Sequence, residues 1–309
     1  MVKKDTYNAA VYLISSRKDY LFKSLESFYK KWNYKYNYPI YVHYYDDIYD
    51  DEKFRVKFYK ELSRNIYFCK TDYEIPKHIT EEELFYNRNY LNYVKTGRFT
   101  KDRLGYLHMQ YFCTNISRFG KINQPNHKLD QYDYLLRIDD DIFFRKEIKY
   151  DLFKFSKNFP IVSGSNWNVS IKELKSNPKH GNFETRENLF EFIRNYISEG
   201  NMYVENKKLR KSVNENNEFL MHTLPWSRGM FIYNMKYFKT KEFYDYIDSV
   251  FEFGGNYKYR WGDIEIICLY NFIHLSKKIK FLNLEKKKIY DPKAITSFAP
   301  STKINNLSN

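Results

Sequence analysis

Residues Tyr132–Asp141 read Tyr-Asp-Tyr-Leu-Leu-Arg-Ile-Asp-Asp-Asp, an apolar run that stops abruptly in three carboxylates. Packing alone does not explain such an ending. Residues 132–138 have the length and content of a buried strand, and in an open α/β sheet the end of such a strand faces the ligand crevice. Asp139 and Asp141 are two apart, so at a strand end both can point the same way and offer hard oxygen ligands to Mg²⁺ or Mn²⁺. A cation held there would neutralise a diphosphate. A plain acidic turn after a strand accounts for the same three letters, since short motifs match by chance. The apolar strand before them and Phe143-Phe144 after them bury the flanks and leave the acids at an edge.

The neighbouring segments supply the sheet that such a strand needs. Residues 9–15 form a short apolar run followed by the polar turn Ser16-Arg17-Lys18-Asp19. Leu21, Leu25, Phe28 and Trp32 then fall on one helix face, and Ile40–Tyr45 reads as a second strand. Strand, helix, strand predicts a parallel pair with a right-handed crossover. From 46 to 104 the sequence is polar and mixed, weakly helical at Lys53–Leu62, and reads as connecting structure. Tyr106-Leu107-His108-Met109 opens a further helix, residues 160–167 another strand, and Phe243, Ile247, Val250 and Phe251 mark a helix face. Between about 170 and 218 lies a polar insertion with one clear helix carrying Leu189, Phe192, Ile193, Tyr196 and Ile197. No repeat or linker divides the 309 residues, so the expected organisation is one α/β domain over 1–309. Residues 5–150 would hold the metal and diphosphate at the acidic strand end, and 151–300 form the second half with its polar insertion.

The net charge of +14 raises the question of a nucleic-acid partner. Its dense clusters, Lys207–Lys211 and Lys286–Lys288, are too short to track a phosphate backbone, so no nucleic acid is expected. Cys69, Cys113 and Cys268 are an odd number with no metal-like spacing, so no disulfide framework is implied, and Cys268, on an apolar helical face, is expected as a buried thiol. The first residues lack a hydrophobic signal region and no run of about 18 apolar residues occurs. A soluble, cytoplasmic protein is the expectation, with a Golgi address only if an anchor has been removed; composition is silent on oligomeric state.

One more block stands out. Gly254-Gly255-Asn256-Tyr257-Lys258-Tyr259-Arg260-Trp261-Gly262-Asp263 places two glycines and then Arg-Trp-Gly-Asp at a helix start. Asp263 reads as an N-cap, with Ile264, Ile267 and Cys268 continuing as a buried face. The same residues have a second use, because tryptophan stacks on sugar faces and a carboxylate accepts hydroxyl protons.

Taken together, these blocks resemble the fungal glycolipid 2-α-mannosyltransferase family. The matches are Asn8-Ala9 and Arg17 around the first strand, Tyr106–Met109, the strand Tyr132–Phe144, and the complete signature of Gly254, Gly255, Arg260, Trp261, Gly262 and Asp263. The resemblance implies a GT-A fold, that is, a Rossmann-like, mainly parallel sheet flanked by helices. It also implies a retaining glycosyltransferase that takes mannose from GDP-mannose with Mn²⁺ (or Mg²⁺), forms an α-1,2 linkage, and acts on a glycan or glycoprotein hydroxyl. It would place Asp139, Asp141 and Asp291 on the metal, and Arg17, Tyr106, His108, Arg137 and Asp139 around the nucleotide. Trp226, Arg260 and Trp261 would line the substrate, with Asp263 acting on the acceptor and Glu265 as its backup. His108 equally reads as a structural histidine. The chain departs from the family where a glutamate proposed as nucleophile is expected: Trp226-Ser227-Arg228-Gly229-Met230-Phe231 carries no carboxylate. Front-face attack with the leaving diphosphate as base, a different donor such as a UDP-sugar, and a catalytically inactive sugar-binding homologue are the readings this leaves open.

Overall fold

The structure is a computed structural model that describes residues 7–45, 47–71, 75–88, 103–116, 129–167, 188–218, 221, 224 and 226–291. The chain opens with β1 (Ala9–Ile14), α1 (Lys18–Lys31), β2 (Ile40–Tyr44), α2 (Glu52–Glu61) and β3 (Ile66–Lys70). It continues through α3 (Arg103–Thr114), β4 (Tyr134–Arg137), β5 (Phe143–Phe144) and β6 (Ile161–Trp167). The remainder comprises α4 (Leu189–Glu199), α5 (Lys207–Asn214), β7 (Trp226–Asn234), α6 (Lys241–Phe253), α7 (Asp263–Tyr270), β8 (Lys280–Phe281) and β9 (Tyr290–Asp291).

Seven strands form one sheet in the order β3-β2-β1-β4-β7-β6-β8. β3, β2, β1 and β4 run parallel, as do β6 and β8, while β7 lies antiparallel between β4 and β6. The expected βαβ unit is present: Val11 pairs with Ile40 and Ala10 with Leu135. Alternation along β1 divides the two cores. Ala9, Val11 and Leu13 meet Leu21, Leu25, Phe28 and Trp32 from the α1 side, whereas Ala10 and Tyr12 meet Phe112, Phe231 and Ile267 from the other. Both faces are therefore covered, as a parallel sheet requires. The large apolar side chains in these layers each stabilise the fold by about 1.5–3 kcal/mol on burial.

Local chemistry sets the helix ends. Asp51 caps α2 by accepting from the Lys53 N–H at 2.9 Å, and Thr240 caps α6 through the Phe243 N–H at 3.2 Å. α6 stops at Gly254, whose φ of +89° is a left-handed conformation that costs glycine little. β3 and α5 correct the sequence expectation, which had read connecting structure at 46–104 and a single helix in the insertion. Residues 168–187 of that insertion lie outside the described set. The three cysteines are buried and free. Among the described residues, no helix is long and apolar enough to cross a membrane.

Candidate active site

The acidic turn follows directly from β4, in the middle of the sheet and next to β1, whose own end leads into Ser15 and Arg17. Its three carboxylates divide into two kinds. Asp140 is 5% exposed and turned inward, where it accepts from Ser15 Oγ at 2.6 Å and from the Arg17 guanidinium. Ser15 is itself tied to the Tyr49 hydroxyl at 2.8 Å. Asp139 and Asp141 stay at the edge, with 37% and 27% of their side-chain surface exposed. Asp140 thus anchors the turn to the first loop while its two neighbours face outward, as alternate positions should.

The outer pair is electrostatically stressed. Asp139 keeps a third of its surface, yet its carboxyl lies deep enough for desolvation to raise its pKa, with Asp140 adding repulsion against the pull of Arg137 and Arg17. Asp141 is pushed up to about 6, by desolvation first and then by Asp139 and Asp140. Two hard oxygen donors that repel each other at a partly open edge are a donor set suited to Mn²⁺ or Mg²⁺. Such ions are held by one or two carboxylates and complete their shells with water and phosphate oxygens. Among the described residues no three His, Cys, Asp or Glu side chains form a ready-made metal cage. β9 pairs with β5 so that Asp291 stands opposite Phe143, two residues past Asp141. The Asp291 side chain lies outside the described residues, as does that of Trp226, although both backbones are placed in strands.

Arg17 is half-exposed and engaged by Asp140, with Asp141 at 3.4 Å, so it braces the acidic turn in this structure. Arg137 is 4% exposed and lies between two acids: Nη2 is 3.0 Å from Asp139 and Nη1 is 2.9 Å from Asp263. Burial of that depth corrects the expectation that Arg137 contacts nucleotide. His108 is buried and bonded through Nδ1 to the Tyr257 hydroxyl at 2.8 Å, the structural arrangement rather than a nucleotide contact. Tyr106 supports the Arg260 guanidinium, which sits 4.7 Å above its ring centre.

The signature block requires two further corrections. Trp261 is fully buried, packed between Phe253 at 5.4 Å, Tyr259 at 5.6 Å and Phe192 at 5.2 Å, and so cannot serve as a wall for a sugar. It fills the hollow left by Gly255, where a Cβ would stand 2.3 Å from the Trp261 ring. Asp263 is the first residue of α7 instead of its cap. Its N–H donates to Gln110 Oε1 at 2.7 Å, so a side chain from α3 satisfies the helix end. The Asp263 carboxyl is 1% exposed and faces Arg137, not an acceptor. Its pKa is raised to about 7: burial is the largest cause, Arg137 pulls it down, and Asp139 and Glu265 push it up. Glu265, half-buried in the first turn of α7 beside Gly262, is the carboxylate of this block that reaches solvent. Met230, in the stretch 226–231 that carries no carboxylate, is fully buried.

Sequence reasoning missed Ser15, Gln110 and the separate role of Asp140. Of these only Asp140 left a signal, in the alternation of the acidic triplet; the partners of the other two lie more than 120 residues away.

A mainly parallel mixed sheet whose central strand ends in outward acids, flanked by helices on both faces, defines a GT-A fold, the architecture of a large class of glycosyltransferases. The chain belongs to the glycolipid 2-alpha-mannosyltransferase family, whose model matches residues 2–292. It is similar to the probable mannosyltransferase KTR3 of Saccharomyces cerevisiae, 24% identical over 48% of this chain and 34% of that protein. Glycolipid 2-alpha-mannosyltransferase 2 of Candida albicans is likewise 24% identical, over 48% of this chain and 30% of that protein. The chain therefore matches about a third of the length of these curated relatives. Among solved structures, core-mannan synthase A of Aspergillus fumigatus, described as a Mn/GDP form, superposes with a TM-score of 0.68 at 18% identity. That superposition covers 94% of this chain and 76% of the other.

Proposed function

We propose that this chain is a metal-dependent glycosyltransferase that moves mannose from GDP-mannose to a glycan hydroxyl, with retention and an α-1,2 linkage. The observation that carries this reading is the outward pair Asp139 and Asp141 at the end of β4, stressed by mutual repulsion and set where a parallel sheet opens to ligand. Family membership and the Mn/GDP form of the Aspergillus relative support the choice of metal and nucleotide. One sheet draws strands from both halves, which supports treating 1–309 as a single catalytic domain with its donor site in 5–150 and its acceptor side in 151–300.

In this reading Asp139 and Asp141 hold the cation, with Asp291 as a third donor. A bound Mn²⁺ would supply stabilisation of the charge that develops on the departing diphosphate. Asp140, Ser15 and Arg17 keep the acidic turn rigid, so that the two carboxylates are oriented before the ion arrives. Glu265 positions the acceptor hydroxyl. The bond between the sugar C1 and the diphosphate oxygen breaks with its electron pair going to the diphosphate. The acceptor oxygen then bonds to C1 from the same face, and its proton passes to the released diphosphate. This route needs no enzyme nucleophile, in keeping with the stretch 226–231, which carries no carboxylate.

The test is a thermal-unfolding panel of nucleotides and nucleotide sugars with and without Mn²⁺. A ligand at about 100 times its Kd should stabilise the fold by roughly 2.7 kcal/mol. GDP and GDP-mannose should do so only with metal. A stronger response to UDP-sugars would move the donor to another class, and binding without donor hydrolysis or transfer would identify an inactive homologue.

A further inference from the structure

Arg137 joins two parts of the molecule that the sequence keeps 126 residues apart, Arg137 itself and Asp263. Its guanidinium is buried at the end of β4 and reaches a carboxylate on each side, Asp139 of the acidic turn at 3.0 Å and Asp263 at the start of α7 at 2.9 Å. The Phe231 ring at 5.5 Å and the Met109 sulfur, 3.7 Å from Nη2, occupy its other sides. One cation is therefore divided between two anions. The contact with Asp263 has ion-pair distance without hydrogen-bond direction, since neither Arg137 Nη1 nor Asp263 Oδ2 has a hydrogen-bond partner. Asp263 thus attracts the guanidinium without fixing it.

We infer that Arg137 and Asp263 are positioning residues for the metal site: Asp263 draws the Arg137 charge away from Asp139 and so keeps the Asp139 carboxylate available to a divalent cation. This rests on the metal-site reading given under Proposed function. Any cation arriving at Asp139 competes with Arg137 for the same carboxylate. A second anion behind the guanidinium offsets part of its charge and weakens that competition. Because Asp263 is sealed from water, its charge is poorly screened and acts on Arg137 at close to interior strength. Removing it turns the whole of Arg137 towards Asp139. Metal affinity then falls although Asp263 is not a ligand.

A purely structural ion pair predicts something different: loss of stability with metal affinity unchanged in the folded protein. The experiment is calorimetric titration of Mn²⁺ at pH 8, in saturating GDP, into the wild type, Asp263→Asn and the double variant Arg137→Met/Asp263→Asn. Asp263→Asn should weaken Mn²⁺ binding about 5-fold or more, the lower range of coupling between sites. The double variant, which lacks the competing cation, should bind Mn²⁺ at least as tightly as the wild type. Wild-type affinity in Asp263→Asn, or weaker binding in the double variant than in the wild type, overturns the inference. Where Asp263→Asn does not fold, Arg137→Met decides: without the competing cation it should bind Mn²⁺ more tightly than the wild type, and unchanged or weaker affinity overturns the inference. A wild type that takes no Mn²⁺ in the presence of GDP overturns the metal-site reading as well, which separates that failure from the failure of the Arg137 role.

Discussion

Arg137→Met should destabilise the protein by an amount that grows with pH. The Asp263 carboxyl is 1% exposed and faces Arg137 at 2.9 Å. Methionine fills much of the arginine stem's volume but leaves that carboxyl with no cation. Removing one partner of a buried ion pair typically costs about 3–5 kcal/mol, because the other charge stays desolvated. Protonation relieves the cost, and the sign follows from the direction of the shift. In the wild type the folded-state pKa of Asp263 is already raised to about 7 by burial. A raised carboxyl contributes stability that is fully present at low pH and is lost as pH rises through the folded pKa. In the wild type that loss ends above about 7. In Arg137→Met the chief lowering influence is gone, the folded pKa moves higher, and the loss continues. The difference between the two proteins should thus be small at pH 5 and increase by about 1.4 kcal/mol per pH unit above 7, towards 3–5 kcal/mol. Urea unfolding of both proteins from pH 5 to 10 measures this directly. A difference that does not vary with pH, or one that is largest at pH 5, would refute the assignment of Asp263 as the buried partner of Arg137.

Three further outcomes follow from the geometry. Gly255→Ala places a Cβ 2.3 Å from the Trp261 ring and should cost about 1–3 kcal/mol in chemical unfolding, the usual range for overpacking. Asp140→Ala strips Ser15 and Arg17 of their shared acceptor and should lower stability by about 1.5–3 kcal/mol, with calorimetry also showing weaker Mn²⁺ binding as the turn loosens. Asp141, pushed up to about 6, must release its proton to hold a cation; calorimetry should find Mn²⁺ affinity level above about pH 8, lower once Asp263 takes up its proton near 7, and falling about tenfold per unit below 6.

The sequence carried most of what periodicity can carry. β1, α1 and β2 were legible because a fully buried strand and a one-sided helix leave unmistakable spacings, and Leu21, Leu25 and Phe28 are indeed the buried face of α1. β3 was not, because at the sheet edge only Ile66 and Cys69 of its five residues are buried. α5 was hidden for a similar reason, with Leu209 and Ser212 its buried residues in a run of lysine and arginine. At the site, the two-residue spacing puts Asp139 and Asp141 on one side, and in the structure these two stay partly exposed while Asp140 turns inward. Trp261 was misjudged as surface because the block does not show which way the chain turns. Arg260 has a φ of +56°, and the tryptophan after it drops into the space over Gly255. Local sequence makes Asp263 look like a cap because the group that accepts from its N–H, Gln110 Oε1, is 153 residues distant. Local spacing reveals which residues share a face; long-range partners must be seen.

The most direct test of the account is transfer of radiolabelled mannose from GDP-mannose to methyl α-mannoside, with Mn²⁺ present or removed by EDTA. The wild type should form an α-linked disaccharide with Mn²⁺, and chelation should abolish it. Asp139→Asn and Asp141→Asn should remain folded and lose at least about 10²-fold of the rate, the scale of a removed charge-stabilising group. Undiminished transfer in EDTA, or no transfer from GDP-mannose by a protein that turns over a UDP-sugar, would contradict it.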